Sequence, residues 1–269
     1  MSALIELFSY DFFQKAFLAA VFASISCGII GSYIVSRRIV FISGGITHAS
    51  FGGIGLAFLL GFNPLVGAVL FAVASALGIQ FFTKVAEIRE DSSIAIWWSL
   101  GMALGIIFVF LTPGYTPNLM SYLFGNILTV TNSELWWMFM LNVVIIAFFI
   151  FFFRNILYVA FDEEFARTAG LPVQLYNYMT ITLIALTVVL NIRVVGIILI
   201  LSLLTIPQAS ANLFTKDFKK LLILSSVFAF AGTIAGLFIS YFMDIPSGAA
   251  IIFTLVVMFG VLRIGKSFV

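Results

Sequence analysis

The chain has 269 residues, 63% hydrophobic and 9% charged, with mean hydropathy +1.22 and a formal net charge of +2. Water-soluble domains carry about 25% charged residues, so the composition excludes one and reads as an integral membrane protein with no basic surface for nucleic acid. Apolar runs of about 16 to 22 residues recur along the length, near the roughly 20 that a helix needs to cross a 30 Å hydrocarbon core, so helices rather than barrel strands are the spanning elements.

In chain order, residues 1–15 carry Glu6, Phe8, Phe12 and Phe13. They lack the basic start and small-residue cleavage site of a signal peptide, and they suit a segment lying along the membrane interface. Spans are predicted at 16–35, 43–61, 65–83, 94–112, 135–153, 175–191, 194–212, 221–241 and 247–262, eight or nine crossings in all. The single cysteine, Cys27, falls in the first span, which rules out an intrachain disulfide and a cysteine-built metal centre.

If each span crosses, Arg37, Arg38, Lys84, Arg89, Arg154, Arg167, Lys216, Lys219, Lys220, Arg263 and Lys266 share one side, leaving only Lys15 and Arg193 of the 13 basic residues. That asymmetry marks the side as cytoplasmic and places the C-terminus there. Trp136 and Trp137 fit a membrane interface.

Two connectors are long enough to hold elements of their own. The outer one, 112–134, has Pro and Asn around an apolar piece and predicts a short extracytoplasmic helix near 116–129, or a re-entrant one. The inner one contains FDEEFARTAGLP and predicts a cytoplasmic helix near 161–171. Asp162 suits the N-cap, Glu163 and Glu164 the first turn, Arg167 the last turn and Gly170 the closure, while Pro172 bars continuation. Phe161 and Phe165, spaced i, i+4, add an apolar stripe, so the element reads as a docking surface or as an interfacial link between spans.

Catalytic chemistry has few footholds. Residues 260–267 match G-x-x-x-x-G-K-S, but Gly260 sits inside the last span and only two residues follow Ser267, so no strand–loop–helix can cradle phosphate. No G-x-S-x-G, H-E-x-x-H or C-x-x-C pattern occurs, and the acidic residues lie in connectors or at span ends, so no catalytic residue is assigned.

The only histidine, His48, lies within the second span. Gly44 and Gly52 stand one turn on either side of it, with Thr47 and Ser50 adding hydroxyls, while Gly45, Ala49, Gly53 and Ala57 form a small-residue stripe for close helix approach. An ionisable ring inside a span points to a translocation site, with Gly44, Thr47 and Gly52 lining it; the competing reading is a ring hydrogen-bonded to a neighbouring helix carbonyl. In the seventh span Pro207 frees the carbonyl of Leu203 and predicts a kink, with Gln208 beside it as a second candidate for lining a polar path.

Taken together, SRRIVFISGGITHASFGGIGLAFLLGFNP, LMSYLFGNILTVTNSEL, FDEEFARTAGLPV and VVGIILILSLLTIPQASA resemble the permease subunits of metal-ion ABC importers, which take up zinc, manganese or iron. The likeness runs in order over residues 30–262. It implies an all-α type II importer permease made of one transmembrane domain over 1–269, with no cofactor of its own, in a bacterial or archaeal cytoplasmic membrane. It also implies a homodimer with the pathway on its two-fold axis, two cytoplasmic ATPase subunits that bind the ATP, and an extracytoplasmic solute-binding protein. On that likeness Asp162, Glu163, Glu164, Arg167 and Gly170 belong to the helix that couples to the ATPase, and His48 is the pathway histidine.

One departure stands out. The family pattern D-x-x-S-H has an aspartate where this chain has Gly44 and a serine where it has Thr47. An imidazole without the hard carboxylate oxygen favours Zn²⁺ or Fe²⁺ over Mn²⁺, or a larger chelated cargo. The rival class, a self-sufficient secondary transporter or channel, calls for carboxylates within spans and often two similar halves, and neither is evident.

Overall fold

The computed structural model describes residues 9–114 and 125–267, which are helical apart from turns and connectors, with no strand among them. Among the described residues eight helices are long and apolar enough to cross a membrane: α1 (Asp11–Ser36), α2 (Phe41–Leu60), α3 (Pro64–Lys84), α4 (Glu90–Leu111), α5 (Asn132–Phe151), α8 (Val173–Val195), α11 (Phe218–Met243) and α12 (Ser247–Ser267). Between α5 and α8 come α6 (Phe153–Phe161) and α7 (Glu163–Thr168), and between α8 and α11 come α9 (Ile197–Leu203) and α10 (Ile206–Ala211).

Local chemistry explains the boundaries. α1 begins earlier than hydropathy predicts because Asp11 sits in its first turn and pairs with Lys15 one turn on, at 2.5 Å. Gly61, in the left-handed region, ends α2, and Asn63 caps α3 with Pro64 at its first position. α5 opens on a reciprocal capping box: the Thr131 backbone N–H donates to Glu134 Oε2 at 2.8 Å, and the Glu134 N–H donates back to Thr131 Oγ1 at 3.3 Å. The extracytoplasmic helix expected near 116–129 lies mostly outside the described residues; the described remainder holds one 3₁₀ turn, Ile127–Thr129, capped by Asn126.

The chain forms two compact units interleaved in sequence. One comprises residues 36–121 and 147–190, the other 1–35, 122–146 and 191–269. In the first, α2 is the centre, flanked by α3 and α4 through the glycine and alanine stripe. A Cβ on Gly53 would lie 2.0 Å from the Gly67 carbonyl oxygen of α3, and one on Gly101 of α4 would lie 2.4 Å from Ala49 Cα. Backbone meets backbone, so only small residues fit at these crossings.

In the second unit, the predicted seventh span is two short helices rather than one kinked rod. α9 stops at Leu203, and α10 restarts with Pro207 in its first turn. Proline lacks the N–H that would donate to Leu203, and the Gln208 side-chain amide takes that place at 3.1 Å while also donating to the Cys27 carbonyl of α1 at 2.8 Å. The broken segment still runs the length of the α11–α12 pair. Val195 and Ile198 line a cavity with Asp244, Ile245 and Pro246 at one end, and the Lys266 ammonium meets the Leu213 carbonyl at the other.

Candidate functional site

His48 sits on α2, in the unit built from α2, α3 and α4. Its imidazole stacks on the Trp98 indole of α4 with centroids 4.4 Å apart and planes 7° from parallel, and Phe51 lies in nearly the same orientation at 6.2 Å. The Nδ1 atom is buried and has no hydrogen-bond partner among the described residues. His48 as a whole is half-buried. Stacking on Trp98 fixes the plane of the ring, so its nitrogens point in set directions.

The other predicted pathway residues fall as follows. Gly44 and Thr47 are buried beside His48, and Thr47 Oγ1 is also without a partner among the described residues. Gly52 is not on a bare row: a Cβ there would meet the Phe71 ring at 2.7 Å, so this side of α2 is covered by α3. Pro207 and Gln208 lie in the other unit, both buried, with both amide hydrogens of Gln208 used on backbone carbonyls. No cluster of three or more His, Cys, Asp or Glu side chains that could hold a metal ion occurs among the described residues.

The segment from Asp162 to Pro172 has the predicted caps. Asp162 Oδ1 accepts the Phe165 N–H at 2.9 Å. At the other end the Gly170 N–H donates to Arg167 and the Leu171 N–H to Ala166, the paired bonds of a Schellman closure, with Gly170 at φ 77°. Helix α7 is only six residues long, and it exposes Glu164, Phe165 and Arg167.

Glu163 differs from its neighbours. Its Oε1 accepts from Arg37 Nη2 at 3.0 Å and Asn177 Nδ2 at 3.1 Å, and its Oε2 accepts from Lys84 Nζ at 2.9 Å. Arg37 also donates through Nη1 to the Val159 carbonyl of α6 at 2.7 Å. Partial burial pushes the Glu163 carboxyl up, but the donors from Lys84, Arg37 and Asn177 outweigh it and hold the pKa at about 2. The carboxylate is therefore ionised throughout the physiological range. Sequence reading placed Glu163 with the outward charges and missed Arg37, Lys84 and Asn177 as its partners. It also missed Trp98, whose pairing with His48 crosses between helices and leaves no mark in either helix's periodicity.

A cavity of about 1040 Å³ lies in the other unit and contains none of the predicted site residues; its walls include Phe12, Ser240, Tyr241, Asp244 and Phe253.

With this geometry in view, comparison with known proteins is specific. The family model described as the ABC 3 transport family matches residues 9–264. An uncharacterised membrane protein of Synechocystis is 40% identical over 94% of this chain and 90% of its own length. The manganese transport system membrane protein MntC of Listeria monocytogenes is 34% identical over the same shares of the two chains. Among solved structures, PsaBC from Streptococcus pneumoniae in complex with Fab superposes with a TM-score of 0.84 at 32% identity, covering 97% of this chain and 95% of that one. A putative metal-chelate type ABC transporter in an inward-facing conformation shares the fold, with a TM-score of 0.70 at 18% identity. An all-helical membrane protein that matches over nearly its whole length can be placed without ambiguity: the chain belongs to the ABC 3 transport family, as a membrane-spanning permease.

Proposed function

We propose that this permease carries a divalent metal ion into the cell as one half of a homodimer, with ATP hydrolysed by a separate cytoplasmic ATPase and the ion delivered by an extracytoplasmic binding protein. The observation that carries the reading is the end-to-end likeness to the manganese transport permease of Listeria monocytogenes and to PsaBC. Manganese is accordingly the first cargo to test, with Zn²⁺ and Fe²⁺ as the competitors that a lone imidazole favours. The cytoplasmic side is taken as that of Arg37, Lys84 and Arg167, which puts the C-terminus there and the whole chain in one permease domain of a cytoplasmic membrane.

His48 would meet the ion through Nε2, with Gly44 and Thr47 lining its approach; Gly52, Pro207 and Gln208 support the shape of the helices. The segment 162–172 would dock on the ATPase through Glu164, Phe165 and Arg167, converting closure of the ATPase dimer into a rigid-body shift of the spans. The test is co-purification and uptake with Glu164→Arg. The variant is expected to reach the membrane but to lose ATPase association and metal uptake. Wild-type association and uptake in that variant would remove the docking assignment.

A further inference from the structure

We propose that Glu163 is a positioning residue, turned away from the ATPase, which clamps the docking segment to the cytoplasmic ends of the His48-bearing helix group so that they move as one body. The proposal rests on the docking assignment for 162–172 and adds how that segment is held. Neighbours Glu164 and Arg167 are exposed, whereas the Glu163 side chain is only 21% exposed and accepts hydrogen bonds from three residues outside α7. Each donor comes from a different place in the membrane domain. Arg37 stands four residues before the start of α2, Lys84 is the last residue of α3, and Asn177 lies in the first turns of α8.

Helix α7 rests on α6 through Phe165 against Tyr158 and the buried Ala166, and the clamp adds a fixed orientation. Six residues are well below the length at which an isolated helix is stable in water. Asp162 and Gly170 close its two ends but do not fix which way it faces. The carboxylate does, since charge-assisted bonds to guanidinium and ammonium groups have fixed geometry and do not slide as an apolar contact does. From Arg37 the path to His48 is short: along the connector into α2, whose glycine crossings tie it backbone to backbone to α3 and α4. A push on Glu164 and Arg167 is thus transmitted through Glu163 to the helix carrying the imidazole. Without the clamp the segment would yield locally, and the stroke would be dissipated at the segment.

The experiment uses the full permease with its ATPase in proteoliposomes, with Mn²⁺ uptake, ATP hydrolysis and complex retention measured on the same preparation. Glu163→Gln keeps the side-chain volume and removes the charge. It is expected to keep the complex and to hydrolyse ATP within about two-fold of wild type, while uptake per ATP falls about ten-fold or more. Trypsin cleavage after the exposed Arg167 is expected to quicken in the same variant. Unchanged uptake per ATP would overturn the proposal. Loss of the complex would also overturn it, by making Glu163 an ATPase contact, and would leave the docking assignment standing; that assignment fails separately through Glu164→Arg. Lys84→Gln, which takes one charged donor from the carboxylate and leaves those of Arg37 and Asn177, covers the case in which Glu163→Gln does not fold. It is expected to keep the complex and to lower uptake per ATP by a smaller factor, and wild-type uptake per ATP in Lys84→Gln would refute the clamp.

Discussion

Gly53→Ala probes the contact that fixes the position of α2. A Cβ built there lies 2.0 Å from the Gly67 carbonyl oxygen, 2.5 Å from its carbon and 2.6 Å from Phe71 Cβ. Ordinary contact begins at 3.4 Å, so α2 and α3 must separate by about 1 Å or more at the crossing, and the obstructing atoms are mainly backbone that no rotamer change can move aside. Overpacking of this kind costs about 1–3 kcal/mol, and the rigidity of the obstruction puts the expectation at about 2–3 kcal/mol. For a chain of this size that is a fall in Tm of roughly 4–12 °C. The assay is the fraction of detergent-solubilised protein still monodisperse on size exclusion after graded heating. Gly248→Ala is the control, since a Cβ there meets nothing within 4 Å and the residue's backbone angle is ordinary. A wild-type Tm for Gly53→Ala, or an equal loss in Gly248→Ala, would refute backbone-to-backbone packing as the constraint on this helix.

Further outcomes follow from the site and the helix break. His48→Ala should reduce metal uptake or shift preference among Mn²⁺, Zn²⁺ and Fe²⁺ while costing only about 1–2 kcal/mol of stability, because it loses the stacking on Trp98 but no hydrogen bond at Nδ1 among the described residues; identical uptake of all three ions would return the ring to a packing role. Gln208→Leu removes the side-chain donor from the Leu203 carbonyl and the bond that ties α10 to the Cys27 carbonyl of α1, and should cost about 1–3 kcal/mol, read as a lowered Tm in the same heating assay; a variant as stable as wild type would mean that the break is held by other means. The Glu163 carboxyl is held at about 2 against an ordinary 4.5. Its contribution to stability is therefore complete above about pH 4.5 and lost as pH falls toward 2. The Tm deficit of Glu163→Gln relative to wild type should be constant at neutral pH and shrink below about pH 4.5, and a deficit flat across that range would contradict the ion-pair assignment.

The membrane helices were legible because their signal is local: length and apolarity alone mark α2, α3, α4, α11 and α12 to within a few residues. The caps at Asp162 and Gly170 are local too, and the stripe through Gly45, Ala49, Gly53 and Ala57 foretold close crossings. Which helices would fill that stripe was not legible, and Phe71 covering Gly52 is one result. Pro207 announced a disturbance, but a full break also needs Leu204 and Thr205 to leave the helix and Gly196 to set its start at φ 83° and ψ 164°. Gln208 read as a path-lining polar residue because its role depends on Cys27, 181 residues away. The partners of Glu163 were not legible for the same reason, since Arg37 and Lys84 lie 126 and 79 residues distant. Charge sign and helix position are written in a segment; partners are written only in the fold.

The glycine crossings around α2 also bear on noise. Where two helices touch through side chains, each contact can hop between rotamers, and the separation fluctuates with them. At Gly53 against Gly67 and at Ala49 against Gly101 almost no rotatable atom intervenes. The spread of His48 positions is then set by backbone vibration, and on its proposed role as a metal ligand little conformational entropy would remain to be lost on binding an ion. A single imidazole with no carboxylate beside it has few contacts with which to offset an ordering cost, and this helix group has prepaid most of it in folding.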